Sequence, residues 1–140
     1  MTDAIFAGNA PAHQDRLNES QFQSQIVSMA TSLGWTMRFH NVYAIGSDQG
    51  YPDLTLVHPV KGVVWIEVKG PKPTIYQRQV EWLETLQEAG QAAYLVYPED
   101  YDAVARLLQR GEAGSEEHDK LVANQYRYKA QPFRRKQRDR

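Results

Sequence analysis

The sequence predicts an α/β fold, a mixed β-sheet flanked by helices in the order α-β-β-β-α-β-α, on three observations. Segments with helical spacing of apolar residues alternate with short runs rich in branched and aromatic residues. Two of those runs are joined by His58-Pro59-Val60-Lys61-Gly62, a length and composition suited to a hairpin. A helical segment then separates the third run from the fourth, as in a crossover connection.

The first helix is expected to start at Asn18, an N-cap whose Gln21 stands where a capping box needs it. Phe22, Ile26, Met29, Ala30 and Leu33 supply its inner face, and Gly34 its stop. Trp35 to Ile45 reads as a strand ending in the polar turn Gly46 to Gly50. Asp53–Val57 and Val63–Lys69 are the antiparallel hairpin strands. Gly70-Pro71-Lys72-Pro73 breaks the third strand, and Thr74 is positioned to cap a helix running to Gly90, with Val80, Leu83 and Leu86 inward. Ala92–Tyr97 is the fourth strand, and Pro98 opens a helix from about 99 to 109 with Val104, Leu107 and Leu108 inward.

The flanks differ in composition. Residues 1–17 read as a flexible arm, 18–109 as the folded domain, 110–120 as a Gly/Glu-rich linker and 121–140 as a basic tail. That tail carries Arg127, Lys129, Arg134, Arg135, Lys136, Arg138 and Arg140 against Asp139 alone, leaving the preceding 120 residues at net −7. A 140-residue chain that is 41% hydrophobic and 24% charged has the composition of one ordinary domain and needs no covalent staple. With no cysteine, disulfides, Cys-ligated zinc and iron–sulfur clusters are excluded, so any metal must sit on oxygen or imidazole. No apolar run is long enough for a membrane span or export signal, and the expected location is cytoplasmic, with no membrane partner.

The chemistry concentrates at the open end of the hairpin. A turn centred near residue 60 sets Asp53 opposite Glu67, with carboxylates close enough to reach one divalent ion. Lys69 shares that face by the period of two, while Val64, Ile66 and Val68 take the other. Two carboxylates brought together need a cation, a shared proton or the lysine beside them. Hard oxygen donors of this kind suit Mg²⁺ or Mn²⁺, and the set is workable for phosphodiester hydrolysis. On spacing alone, the same residues more often make a solvated salt-bridge cluster than a metal site.

Gly50-Tyr51-Pro52-Asp53-Leu54, Trp65-Ile66-Glu67-Val68-Lys69-Gly70-Pro71 and Gln79-Val80-Glu81-Trp82-Leu83 resemble, in order, the three central motifs of the VRR-NUC domain. That family is a branch of the nucleases with the Pro-Asp…(Asp/Glu)-x-Lys signature, which implies a restriction-endonuclease-like sheet. The resemblance runs from about Glu19 to about Leu108. It implies that Asp53, Glu67 and the backbone carbonyl of Val68 are metal ligands, that Lys69 is the catalytic lysine, that Glu19 assists directly or through water, and that Gln79 turns toward the site. Without it, Glu19 reads as a first-turn acid placed for the helix dipole and Gln79 as a surface amide.

The family includes nucleases of branched or flapped DNA and small stand-alone proteins, some from phages, that resolve four-way junctions as homodimers. The resemblance therefore implies a metal-dependent endodeoxyribonuclease acting on four-way junctions as a homodimer, with Mg²⁺ or Mn²⁺ and no nucleotide cofactor. Two equivalent sites about a two-fold axis are the simplest way to cut a symmetric junction. Flap, nick, duplex or RNA cleavage is the alternative within the chemistry, and a non-catalytic DNA-binding module using the tail is the alternative outside it. Arg and Lys interleaved with Tyr126, Tyr128 and Phe133 serve either as a nucleic-acid contact or as a solvated extension. Lys61, Lys72 and Arg78 are expected to flank the site, and the histidines to be structural.

Overall fold

Alternation of apolar residues along the central segments builds one four-stranded sheet in the order β1-β2-β3-β4: Met37–His40, Leu54–His58, Gly62–Val68 and Ala92–Val96. The computed structural model describes residues 12–40, 50–111 and 115–132. The first three strands form an antiparallel meander, and β4 joins β3 in parallel after helix α2 (Gln77–Glu88), so the sheet is mixed. Expected strand positions 41–45 and the turn 46–49 lie outside the described residues.

One face of the sheet carries Leu54, Leu56, Val64, Ile66, Val68, Tyr94 and Val96, all essentially inaccessible to water. Helix α1 (Glu19–Ser32) covers it with Phe22, Ile26, Met29 and Ala30, and helix α3 (Tyr101–Arg110) with Val104, Leu107 and Leu108. The other face packs Ala93, Leu95 and Tyr97 under Val80 and Leu83 of α2. β3 is thus covered on both sides, which is why its polar positions are withdrawn from solvent.

The start of α1 follows its sequence closely. Asn18 Oδ1 accepts from the Gln21 amide at 2.8 Å, and Gln21 Oε1 accepts from the Asn18 amide at 2.9 Å, so two otherwise orphaned donors are satisfied reciprocally. The start of α2 differs from expectation. The helix begins at Gln77 with Tyr76 as N-cap, and Thr74 caps nothing. The Gln79 amide donates to the Tyr76 carbonyl at 2.9 Å and Gln79 Oε1 accepts from the Tyr76 amide at 3.0 Å, closing the first turn without a Ser, Thr or Asp.

Two flanking stretches are more ordered than their composition predicts. In the stretch expected as an arm, Gln14–Arg16 forms a 3₁₀ turn. The Gln14 amide exchanges hydrogen bonds with Gln25 at 2.8 and 3.0 Å and donates to the Pro98 carbonyl at 3.0 Å. Within the expected linker, Ser115 opens helix α4 (Ser115–Ala123), which continues into a 3₁₀ turn at Asn124–Tyr126. Leu121 enters the core, and Glu117 is clamped by Arg106 Nε at 2.7 Å and Arg110 Nη1 at 2.8 Å. His118 Nδ1 meets the Tyr94 hydroxyl at 2.8 Å. Two adjacent apolar residues, Leu121 and Val122, and a set of polar partners on α3 and β4 hold this helix, so no apolar period announces it. No described helix is long and apolar enough to cross a membrane.

Candidate functional site

Strand register builds the site. The ladder pairs Leu54 with Ile66 and His58 with Gly62, a turn centred on residue 60, so Asp53 precedes the first pair on the strand facing Glu67. Asp53 Oδ2 accepts from the Val68 amide at 2.8 Å, which ties the loop before β2 to the end of β3. Gly50 lets that loop approach α2, since a Cβ there would lie 2.4 Å from the Arg78 carbonyl. Gly70 does the same for α1: a Cβ would lie 3.0 Å from the Glu19 amide, so the first turn of α1 sits against the end of β3.

Glu67 and Lys69 are 3% and 5% exposed. Lys69 Nζ lies 3.3 Å from Glu67 Oε2 and donates to the Thr74 carbonyl at 2.8 Å and to Gln79 Oε1 at 3.1 Å. Gln79 Nε2 donates to Glu67 Oε2 at 2.9 Å. The ammonium is therefore held on three oxygens, and the Gln79 amide fixes both members of the pair. Thr74, expected as a helix cap, works instead through its carbonyl on Lys69.

The electrostatics follow from this burial. Burial pushes the Glu67 carboxyl well above its usual value of 4.5; Asp53 and, less, Glu19 push it further, while Lys69 pulls it back. Glu19 is also raised, by partial desolvation first and by Asp53 next, with Lys69 opposing. Asp53, Glu67 and Glu19 thus share one field. Among the described residues no three His, Asp or Glu side chains close into a ready-made metal cage, so Glu19 is brought into that field without completing a coordination sphere.

Glu67 Oε1 tests whether a metal would fit. It is buried and has no hydrogen-bond partner among the described residues. A buried acceptor left unsatisfied costs about 1–3 kcal/mol. A carboxyl oxygen of this kind, beside Asp53, becomes the hard donor that a divalent cation takes once its proton is displaced.

A groove of about 650 Å³ opens beside Lys69 and Glu19, lined also by Arg16, Lys72, Thr74 and Tyr76. Arg16 and Tyr76 escaped sequence reasoning; Arg16 ends the 3₁₀ turn that Gln14 docks on the Pro98 carbonyl. Of the three bases expected to flank the site, Lys72 lines this groove and Arg78 is paired with Glu81 at 3.2 Å on α2. Lys61 belongs elsewhere. It sits in the hairpin turn at the opposite end of β2 and β3, and its Nζ donates to the Leu108 carbonyl at 3.3 Å. His58 Nδ1 accepts from the Val60 and Lys61 amides in that same turn, a structural role.

The VRR-NUC domain family matches residues 14–99, more than half of the chain and every residue of the Asp53, Glu67, Lys69 and Gln79 constellation. No curated protein sequence matches the chain. The matched segment includes the 3₁₀ turn that carries Arg16 and ends before α3. With Pro52-Asp53 and Glu67-Val68-Lys69 meeting at one end of the hairpin, the chain belongs to the VRR-NUC domain family, nucleases of the PD-(D/E)xK type that act on DNA.

Proposed function

We propose that this protein is a divalent-metal-dependent endodeoxyribonuclease that cleaves branched DNA, four-way junctions foremost, as a homodimer in the cytoplasm. The observation that carries the metal dependence is Glu67 Oε1, a carboxyl oxygen buried in the field of Asp53 with no partner among the described residues. Asp53, Glu67 and the Val68 carbonyl would hold Mg²⁺ or Mn²⁺, with Glu19 contributing directly or through water. The ion, when bound, supplies Lewis acidity that acidifies water and screens phosphate charge.

The chain's own residues supply the rest. Lys69 Nζ, fixed on Thr74 O and Gln79 Oε1, would exchange its longer 3.3 Å contact with Glu67 Oε2 for the attacking water or for the phosphate oxygen on which charge develops. Gln79 keeps Glu67 and Lys69 in register, so neither needs to reorganise during reaction. Burial of β3 on both faces removes competing water from this pair and strengthens its field. The restriction-endonuclease-like architecture agrees with the mixed sheet and the placement of the signature at one end of it.

The test is cleavage of a synthetic four-way junction in Mg²⁺, Mn²⁺ or EDTA, with Lys69→Ala alongside, and sedimentation of the protein alone. Paired symmetric cuts that need metal and vanish in the variant, from a two-subunit particle, are expected. Cuts confined to flaps or linear duplex would keep the active site and discard the substrate. Junction binding without cuts in any metal would discard the enzyme.

A further inference from the structure

The described part of the basic C-terminal stretch divides into residues that the fold consumes and residues that it presents. Arg127 is consumed: its guanidinium lies 4.6 Å from the Tyr97 ring centroid and pairs with Glu99 at 2.8 Å. The Tyr126 hydroxyl donates to Glu84. Beyond them the chain runs beside the segment leading into α2. The Gln131 amide donates to the Ile75 carbonyl and the Gln77 amide to the Gln131 carbonyl, each at 2.7 Å, a short parallel bridge.

Those two bonds set Tyr128 and Lys129 against Pro73 and Thr74, the same residues that wall the catalytic groove. A second groove of about 450 Å³ results, lined by Pro73, Thr74, Ile75, Tyr128, Lys129 and Gln131. The two grooves share Pro73 and Thr74, and Thr74 is the residue whose carbonyl holds Lys69. Lys72 on one side and Lys129 on the other are exposed and make no ion pair among the described residues, and Tyr128 is 45% exposed. After residue 132 the sequence continues through Phe133 with Arg134, Arg135, Lys136, Arg138 and Arg140 against Asp139. Residues 127–132 lie outside the segment that the family matches.

We propose that Lys72, Lys129 and Tyr128 form a track for DNA left unpaired at a branch point or in a flap arm, running alongside the groove that holds Lys69. The inference rests on the nuclease reading above. Lysines take phosphates in any sequence, and the Tyr128 ring, held edge-on at 6.0 Å from Tyr97 with the Arg127 guanidinium 5.8 Å from its centroid, leaves an exposed part that only an unpaired base can stack on. Paired bases bury their faces, so a duplex would leave Tyr128 without a role.

The test uses the full chain in EDTA, where binding is read without cleavage, and a branched oligonucleotide carrying 2-aminopurine in an unpaired arm, with blunt duplex for comparison. Replacing both lysines, Lys72→Ala with Lys129→Ala, is expected to lower the slope of log K against log salt by about 1.4 on the unpaired arm, two contacts at about 0.7 each. Tyr128→Leu is expected to keep that slope, weaken binding about tenfold and abolish 2-aminopurine quenching, with duplex binding little changed. Lys120→Ala, an exposed base on α4, serves as the control. All four positions are on the surface, and matched melting temperatures separate a binding effect from misfolding. Unchanged slope and quenching in these variants, with wild-type protein still cutting DNA, would overturn the track alone. A wild-type protein that neither binds nor cuts DNA would overturn the track together with the nuclease reading.

Discussion

Gln79 Nε2 donates to Glu67 Oε2 at 2.9 Å while Gln79 Oε1 accepts Lys69 Nζ, so one neutral amide spans a buried ion pair and reads the polarity of both members. The same Oε1 closes the first turn of α2 on the Tyr76 amide, which makes a helix start and the geometry of the Glu67–Lys69 pair depend on one side chain.

Gln79→Ala is accordingly expected to lower kcat about 10–100-fold, the range for loss of a residue that orients ligands, with KM for DNA nearly unchanged. Loss of the turn closure should cost about 1 kcal/mol. Gln79→Glu separates the two roles. It keeps the acceptor for Tyr76 and Lys69, so its melting temperature should stay near that of the wild type at low pH, where the two carboxyls share a proton, but it sets a carboxyl against Glu67, so its kcat should fall as in the alanine variant. Single-turnover kinetics and thermal melts of both variants check this.

The Glu67–Lys69 pair should weaken the metal-free fold. Because the Glu67 carboxyl is raised well above 4.5, its stabilising contribution is complete below the unfolded value and is lost as pH rises through the folded value. Metal-free protein should therefore lose stability over the range above pH 4.5, and Glu67→Gln should flatten that slope. Glu67→Gln with Lys69→Met, which removes both buried charges, should be inactive yet more stable in EDTA by about 1–4 kcal/mol. Denaturant melts between pH 4 and 8 decide the matter, and a double variant less stable than the wild type would count against the burial argument.

Metal should reverse the penalty. Mn²⁺ at about 100 times its dissociation constant is expected to stabilise wild-type protein by about 2.7 kcal/mol and to do nothing comparable for Glu67→Gln. Equal stabilisation of both proteins, followed by calorimetric melts, would remove Glu67 from the ligand set.

The C-terminal helix carries the opposite pH sign. Glu117 is held below 4.5, first by its hydrogen bond from Arg106 and also by Arg110, so its contribution is present above the unfolded value and lost as pH falls through the lower folded one. Glu117→Gln should abolish that loss of stability below pH 4.5. Leu121→Ala, which empties a fully buried site, should cost about 2–5 kcal/mol at any pH. Acid titration of thermal stability distinguishes the two variants.

Much of the hairpin end was legible in the sequence because its determinants are local. A period of two along Val63 to Lys69 and a five-residue connection are enough to set Asp53 toward Glu67, and Asn18 with Gln21 is enough to start α1. The signature residues come together for the same reason: Asp53 immediately precedes β2, and Glu67 and Lys69 stand at the end of β3 and just past it. The resemblance added Glu19 and Gln79, which no spacing argument singles out.

Tertiary structure decided what depends on partners distant in the chain. Arg16 ends a turn docked by a Gln14 bond to Pro98, 84 residues away, and α4 exists through Glu117, His118 and Leu121 meeting α3, β4 and the core. Thr74 exchanged a capping role for a carbonyl contact with Lys69, and Lys61 went to the far end of the sheet. Periodicity reports which face of an element is apolar, but a hydrogen bond between side chains from separate elements leaves no trace in either element's local pattern, so only the folded chain reveals it.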